Sequence, residues 1–302
     1  MNTIGLIGCG HWGKFILRDL VSLNCEVWVV ARSTSSQKIA KQHQAHHIVN
    51  SIEELPPDLE GYVVAVPTIN HAEIIEKLIK LNKPIFVEKP MTPDLKTAQK
   101  ITNAAENRVF VMDKWRYHPA IEKIAQWINQ ETLGKVQTIK SVRCQWGTSH
   151  TDVDPVWTLL PHELSIILHL LGKIPEPIWA HAEIINDNHF VSLRGLLGKS
   201  PACFVEVSTR VPRKQRGLTV SCENGSMMME DPLNDHILVC RNGSKNIEKI
   251  AISTEYPLLR ELRAFINHIN NGSRLHSCAK DGLLVVKVVT QMRKMAKERV
   301  CL

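Results

Sequence analysis

Several features are missing from this chain of 302 residues, and each absence removes a class of protein. No apolar run approaches the roughly 20 residues that a bilayer span needs, so no membrane partner is expected. The opening stretch Met1-Asn2-Thr3-Ile4-Gly5-Leu6-Ile7 is apolar, but it has neither a basic leader nor a small-residue cleavage site. It reads as a buried strand and not as a signal peptide, and the expected location is the cytoplasm. Cys9, Cys25, Cys144, Cys203, Cys222, Cys240, Cys278 and Cys301 are scattered, without a Cys-x-x-Cys pair. That distribution suits buried, reduced thiols, suggests no zinc site, and leaves no metal to be expected. The net charge is +7, yet Lys and Arg are not gathered into a stripe with stacking aromatics, so no nucleic-acid partner is expected. The one modest cluster, 293–299, reads as a solvated helix face; a mild positive field favours anionic ligands such as nucleotide phosphates. Internal repeats and low-complexity segments are also lacking.

What is present is the composition of an ordinary folded protein, 44% hydrophobic and 22% charged, at a length suited to two domains. Through about residue 115, short apolar segments at 3–7, 26–31, 62–66, 84–87 and 109–112 predict strands buried on both faces. Amphipathic segments separate them. Trp12, Phe15, Ile16, Leu20 and Leu23 share one helical stripe, and Ile74, Ile75, Leu78 and Ile79 another. Glu73/Lys77 and Glu76/Lys80 add i,i+4 pairs, and Thr92 with Pro93 marks a helix start. The alternation predicts an α/β doubly wound parallel sheet, a Rossmann domain, over 1–118. From 119 to 302 the pattern is mostly strands (136–146, 178–185, 190–196, 202–209, 218–222, 226–230, 236–240 and 247–253), with Asn224-Gly225 as a hairpin signal. Helices are expected near 121–128, 161–171, 257–270 and 281–297. This predicts an α+β domain on a mostly antiparallel, open-faced sheet. Such a sheet needs cover, so a homodimer or homotetramer is expected.

Chemistry enters with Gly8-Cys9-Gly10-His11-Trp12-Gly13. This Gly-x-Gly-x-x-Gly string directly follows a predicted strand and opens a helix, the context that a dinucleotide-binding loop needs. Gly8 permits the turn, Gly10 lets the backbone approach a pyrophosphate, and Gly13 lets helix and strand pack closely. The phosphates then sit over unpaired N–H groups at the helix start, beside His11 and Trp12. After the second strand an NAD-type unit carries a carboxylate for the ribose 2′-hydroxyl. Here the sequence is Ala31-Arg32-Ser33-Thr34-Ser35-Ser36. A guanidinium and hydroxyls suit a 2′-phosphate, so Arg32 and Ser33 point to NADP, with NAD and relaxed cofactor choice left open.

Val66-Pro67-Thr68-Ile69-Asn70-His71 and, further on, Phe86-Val87-Glu88-Lys89-Pro90 make the chain resemble the Gfo/Idh/MocA family of oxidoreductases. That family has a proline near the end of its fourth strand, a histidine four positions later, and a Glu-Lys-Pro triplet after the fifth. Arg116-Tyr117-His118-Pro119, the segment from Trp157 to Leu164, Glu261 with Phe265, and the closing helix after Asp281-Gly282-Leu283 extend the resemblance over nearly the whole chain. It implies that Lys89 reaches the reacting hydroxyl or carbonyl beside a nicotinamide and that His162 moves the substrate proton. Glu88 holds Lys89 or the nicotinamide side in place. Pro67, Thr68, Asn70, His71, Glu88, Lys89 and Arg116 fall among the cofactor-binding positions; for His71 a place in a helix's first turn is an equal alternative. Tyr117, Trp157 and Thr158 join Lys89 and His162 on the substrate side. The implied activity is NAD(P)-dependent hydride transfer to or from a secondary alcohol or ketone of a sugar, polyol or nucleotide-linked sugar.

The chain also departs from the pattern. Thr158 stands where many members have aspartate, Leu160 where others have glycine, and Ser165 where others have aspartate. A hydroxyl cannot stabilise an imidazolium as a carboxylate does. Glu163 is a candidate substitute, although adjacent helix positions diverge by about 100°. The departure keeps two other readings open. One is a catalytically silent NAD(P)-binding sensor or transcriptional co-regulator of the same fold. The other is an imine or bilin-type reductase that needs no histidine.

Overall fold

A computed structural model describes residues 1–148, 151–186 and 188–300. In chain order the elements are β1 (Thr3–Ile7), α1 (Gly13–Ser22), β2 (Glu26–Val30), α2 (Thr34–Gln42), β3 (His47–Val49), β4 (Gly61–Val64), α3 (His71–Ile79), β5 (Ile85–Glu88), α4 (Leu95–Ala105) and β6 (Val109–Met112). They continue with α5 (Pro119–Asn129), β7 (Val136–Trp146), α6 (Pro155–Leu171), β8 (Pro177–Ile185), β9 (His189–Leu197), β10 (Ala202–Ser208), β11 (Arg210–Cys222), β12 (Gly225–Met229), β13 (His236–Arg241), β14 (Ile247–Ala251), α7 (Pro257–Asn271) and α8 (Ala279–Val300).

The chain divides into two compact units. The first holds Met1–Lys114 and Tyr256–Val286; the second holds Trp115–Glu255 and the chain from Lys287 on. In the first unit six parallel strands lie in the order β3-β2-β1-β4-β5-β6. This is the doubly wound order with its reversal between β1 and β4, where ligands collect in such sheets. The expected strands are all present. The edge strand β3 was not anticipated, because its three residues carry no alternation, with His47 exposed and Ile48 and Val49 half-buried.

A division into 1–118 and 119–302 does not describe the packing, since 256–286 returns to the first unit. The reason is apolar: Leu258, Leu262, Phe265 and Ile266 of α7, and Leu275 beyond it, share a core with Ile4, Leu6, Val27 and Val63. Phe265 stacks on Phe86 at 4.8 Å. A Cβ on Gly61 would lie 2.7 Å from Ile269, so the start of β4 must be bare for α7 to lie against it.

The second unit is built on an eight-stranded sheet in the order β14-β13-β12-β11-β7-β10-β9-β8. All its pairings are antiparallel except β7 with β10. Helix α6 lies on its inner face, buried along nearly its whole length. It starts six residues before the expected 161, because Asp154 caps it by accepting from the Val156 and Trp157 N–H groups at 3.1 and 3.4 Å and Pro155 occupies the first turn. Pro161 is therefore interior to the helix and does not begin it. Asp154 also pairs with Arg293 at 2.6 Å, and that guanidinium lies 3.9 Å from the centre of the Phe190 ring.

The described cysteines are all unpaired. Burial pushes the thiols of Cys9, Cys25, Cys144 and Cys203 up to about 11, so at neutral pH they remain protonated and act as small apolar groups. Cys301 lies outside the described residues. Among the described residues no helix is long and apolar enough to cross a membrane, and no cluster of His, Cys, Asp or Glu is placed to hold a metal ion.

Candidate active site

The loop between β1 and α1 gathers against the end of β4. Gly8 has φ +96°, and a Cβ there would lie 2.7 Å from the Ala65 carbonyl oxygen; both facts demand glycine. A Cβ on Gly13 would run into the Gly8 carbonyl. Gly10 differs, because a Cβ built on it meets nothing within 4 Å. The protein's own packing does not require glycine at 10, whereas the close approach of a pyrophosphate does. Helix α1 has no side-chain N-cap bond and no acidic residue in its first turn, so none of its own carboxylates competes for its leading N–H groups. His11 is exposed, with its ring 6.3 Å from that of Phe15.

After β2, Arg32 is exposed and Ser33 caps α2. The Ser33 hydroxyl accepts from the Ser36 N–H at 3.1 Å and Ser36 Oγ returns the contact to the Ser33 N–H at 3.2 Å. That hydroxyl is already committed to capping the helix, whereas Arg32 projects into solvent beside it.

The end of β5 meets the same loop. The Trp12 indole N–H donates to Glu88 Oε1, and the Lys89 backbone N–H donates to Glu88 Oε2 at 3.2 Å. The Lys114 ammonium lies 4.0 Å from the centre of the Trp12 ring. Lys114 was not singled out in the sequence; it sits two residues before the Arg116-Tyr117-His118-Pro119 string, and only the fold brings it to Trp12. Burial raises the Glu88 carboxyl above the ordinary carboxylate range, against the opposing pull of Lys89 and Lys114 and the bonds from Trp12 and the Lys89 N–H. His71 is buried at the start of α3, with Nδ1 2.8 Å from the Pro90 carbonyl and Nε2 3.0 Å from that of Val66. It braces the turn after Lys89 against the end of β4. The Lys89–Pro90 peptide is cis. Pro67 and Asn70 are exposed on the turn before α3, and Thr68 is buried there.

A carboxyl with a folded-state pKa above its unfolded value contributes most to stability below the unfolded value. That contribution is lost as pH rises towards the folded one. Glu88→Gln is therefore expected to remove this part of the pH dependence and to leave the protein at least as stable as the parent at neutral pH. Thermal melts across the acid range read it; a variant that loses stability only above the ordinary carboxylate range would contradict the assignment.

In the second unit, His162 lies on α6 and is nearly buried. The Trp115 ring meets it edge-on at 6.4 Å and 70°. Trp115 itself stacks on His118 at 5.3 Å and lies 4.3 Å beneath the Arg143 guanidinium. Glu163 does not turn towards His162. It faces the sheet, accepting from Ser141 Oγ on one oxygen and from Arg143 Nε on the other. The 100° between adjacent helix positions accounts for this, and Glu163 is no substitute for the absent aspartate. Burial lowers the Arg143 pKa, offset by Glu163. The sequence carried a faint signal for this pair: Ile139, Ser141 and Arg143 alternate inward along β7, placing a cation at a core position.

Thr158 is buried, its hydroxyl donating to the Pro155 carbonyl at 2.9 Å. Arg116 is buried and donates through Nε to Ser165 Oγ at 2.7 Å. Tyr117 is buried as well, and so is Trp157, with Arg293 5.4 Å from its ring.

Residues 2–112 match the model of an oxidoreductase family with an NAD-binding Rossmann fold, Gfo/Idh/MocA. Among known proteins, the inositol 2-dehydrogenase of Rhizobium meliloti (strain 1021) is 21% identical over 338 aligned positions, covering 98% of this chain and 97% of its own. Among solved structures, levoglucosan dehydrogenase in complex with NADH and levoglucosan aligns with a TM-score of 0.89 at 14% identity, over 98% of this chain and 97% of the other. The UDP-N-acetylglucosamine 3-dehydrogenase of Acidithiobacillus ferrooxidans aligns at 0.84 and 19% identity, over 98% of both chains. At these identities the structural likeness establishes the architecture.

Proposed function

We propose, from the premise that this chain belongs to the Gfo/Idh/MocA family of oxidoreductases, that it is an NADP-dependent dehydrogenase or reductase of a secondary alcohol or ketone on a sugar-like molecule. The observation that carries the reading is the bare Gly10 above an uncapped helix start, a cradle that a diphosphate fills and the protein does not. Gly8, Gly10, Gly13, His11 and Trp12 hold the dinucleotide's diphosphate, and Arg32 takes its 2′-phosphate. Pro67, Thr68, Asn70 and Glu88 complete the cofactor contacts of the first unit, with His71 bracing the turn after Lys89. Once bound, the nicotinamide supplies the hydride donor or acceptor. Lys89 then stabilises the substrate oxygen as negative charge gathers on it. His162 accepts the hydroxyl proton in the oxidative direction and returns it in the other. Tyr117, Trp157 and Thr158 shape the surroundings of the substrate.

Arg32 decides between NADP and NAD. An exposed guanidinium forming bidentate contacts to a phosphate is worth on the order of 1.5–3 kcal/mol. Arg32→Ala is expected to raise the Kd for NADP+ by about tenfold or more and to leave that for NAD+ almost unchanged. Calorimetric titration of both dinucleotides reads the difference, and a parent protein that prefers NAD+ contradicts the choice.

The outward face of the second unit's sheet supports a homo-oligomer. Trp179, Leu196 and Phe204 lie side by side in register, with Trp179 36% and Phe204 46% exposed, over a shallow hollow of about 440 Å³. Flanked by the Arg194–Glu206 pair at 2.8 Å, this patch suits a two-fold contact with a second copy. Light scattering at micromolar concentration is expected to give a dimer or tetramer, and a monomer opposes that state.

A further inference from the structure

Trp115 is 7% exposed, and its indole N–H finds no acceptor among the described residues. A buried donor left in that state costs free energy, and folded proteins keep few of them. The ring has no freedom to turn towards an acceptor. It stacks on His118 at 5.3 Å between centres and 9° between planes, and the Arg143 guanidinium lies 4.3 Å from its centre. Both neighbours are themselves tied. His118 caps α5, with Nδ1 accepting from the Ala120 N–H at 3.2 Å and Nε2 3.0 Å from the Pro232 carbonyl. Arg143 is fixed by Glu163, which also accepts from Ser141 Oγ. An indole placed by the start of α5, by β7 and by α6 thus keeps its one polar atom unspent. The hydroxyls of Thr158 and Ser141, buried in the same unit, both find acceptors inside the fold.

His162 is the neighbour that gives this donor a use. Its ring centre lies 6.4 Å from that of Trp115, with 70° between the planes. Both residues belong to the second unit, so one packed body sets their spacing. That spacing lets one small molecule engage His162 through the hydroxyl that reacts and Trp115 through an oxygen on a nearby carbon. A sugar or polyol carries similar hydroxyls on successive carbons, and a dehydrogenase must choose among them. A rigid donor at a set distance from the proton acceptor makes that choice by geometry. It also discriminates, because a ligand lacking the matching oxygen leaves the buried N–H unpaired. An apolar wall at the same place has no such preference.

We infer that the Trp115 indole N–H donates to a substrate oxygen and thereby selects which carbon of the substrate undergoes hydride transfer. The inference rests on the reading that His162 takes the proton of a sugar-like substrate, so its first test observes Trp115 and not turnover. The chain has 7 tryptophans, and in an isotope-labelled sample Trp115→Phe identifies the indole N–H signal of Trp115. The full chain with excess NADP+ would be titrated with levoglucosan, myo-inositol and glucose. At least one is expected to bind and to move the Trp115 N–H proton downfield, more than any other indole signal. Binding that leaves this signal unmoved overturns the proposal and spares the sugar reading; no binding by any of the three overturns both. The second test removes the N–H and keeps the ring, by placing benzothienylalanine, with sulfur for the indole nitrogen, at position 115. The Kd of the bound compound is expected to rise about threefold to tenfold, the range for one neutral hydrogen bond, with the Kd for NADP+ unchanged. One monodeoxy form of that compound is expected to bind both proteins alike, because it lacks the oxygen concerned. In turnover the altered protein is expected to give a second ketone beside the parent's product. The proposal fails if the two proteins bind the compound equally or yield the same single product. No NADP+ reduction with any of the three compounds overturns the oxidoreductase reading and the choice of carbon with it.

Discussion

Lys89→Ala is expected to lower kcat by on the order of 10²–10³-fold, the usual cost of removing one group that stabilises a developing oxyanion. On the function proposed above the dinucleotide is expected to bind with little change, because that reading holds its diphosphate at the Gly8–Gly13 loop and not on the Lys89 ammonium. The geometry explains why one ammonium carries so much. Glu88 is tied down by the Trp12 indole and the Lys89 backbone N–H, so the start of the triplet is anchored to the dinucleotide loop. His71 anchors its end through the Pro90 carbonyl. Lys89 stands between two fixed points, and a positioned charge needs no reorganisation when the substrate oxygen becomes anionic. Lys114→Met is the control. It removes the other ammonium near Glu88 while leaving Lys89, and a loss well below that of Lys89→Ala is expected. His162→Gln is expected to cost about 10²–10⁴-fold by withdrawing the proton acceptor. Rapid-mixing measurement of NADPH formation separates chemistry from product release. A Lys89→Ala protein turning over within about threefold of the parent would overturn the assignment.

The first unit was readable from its sequence because its strands are buried on both faces and its loop glycines have local causes. Gly8 needs a positive φ and Gly13 a close approach, and these constraints act within a few residues. What escaped has causes distant in the chain. Strand β3 is an edge of three residues that owes its existence to pairing with β2. Helix α7 was expected as a helix, but its apolar stripe of Leu258, Leu262, Phe265 and Ile266 bears no mark of which core it joins. Only Gly61, some two hundred positions earlier, is shaped for it. Pro161 looked like a helix start because proline favours first turns, and Asp154 with Pro155 outcompeted it. Of the candidate residues, Gly10, Lys89 and His162 were named by motif and resemblance. Lys114 and Arg143 were not, since each earns its place through a partner remote in sequence: Trp12 for one, Glu163 for the other.

Arg143→Met is expected to destabilise the second unit by about 3–5 kcal/mol, because it strands the Glu163 carboxylate in the interior. The pair is deeply placed, with side-chain exposures of 5% for Arg143 and 2% for Glu163, and the Ser141 hydroxyl is the other donor seen on that carboxylate. For a unit of this size such a loss lowers Tm by roughly 10 °C. The remedy distinguishes charge from packing. Arg143→Met combined with Glu163→Leu removes both charges and fills similar volume, and it is expected to recover most of the lost stability. Activity should not recover with it. Arg143 is the cation over one face of Trp115, and the Trp115 edge meets His162, so the apolar pair loses the contact that holds the indole in place. The double variant is therefore expected to melt near the parent temperature yet keep a lowered kcat, with the Kd for NADP+ unchanged. If stability and kcat return together, the ion pair serves only the fold and Trp115 is positioned by its stacking on His118. A single variant costing less than about 1 kcal/mol would mean that the buried carboxylate finds another donor, and the pair would then be incidental to both.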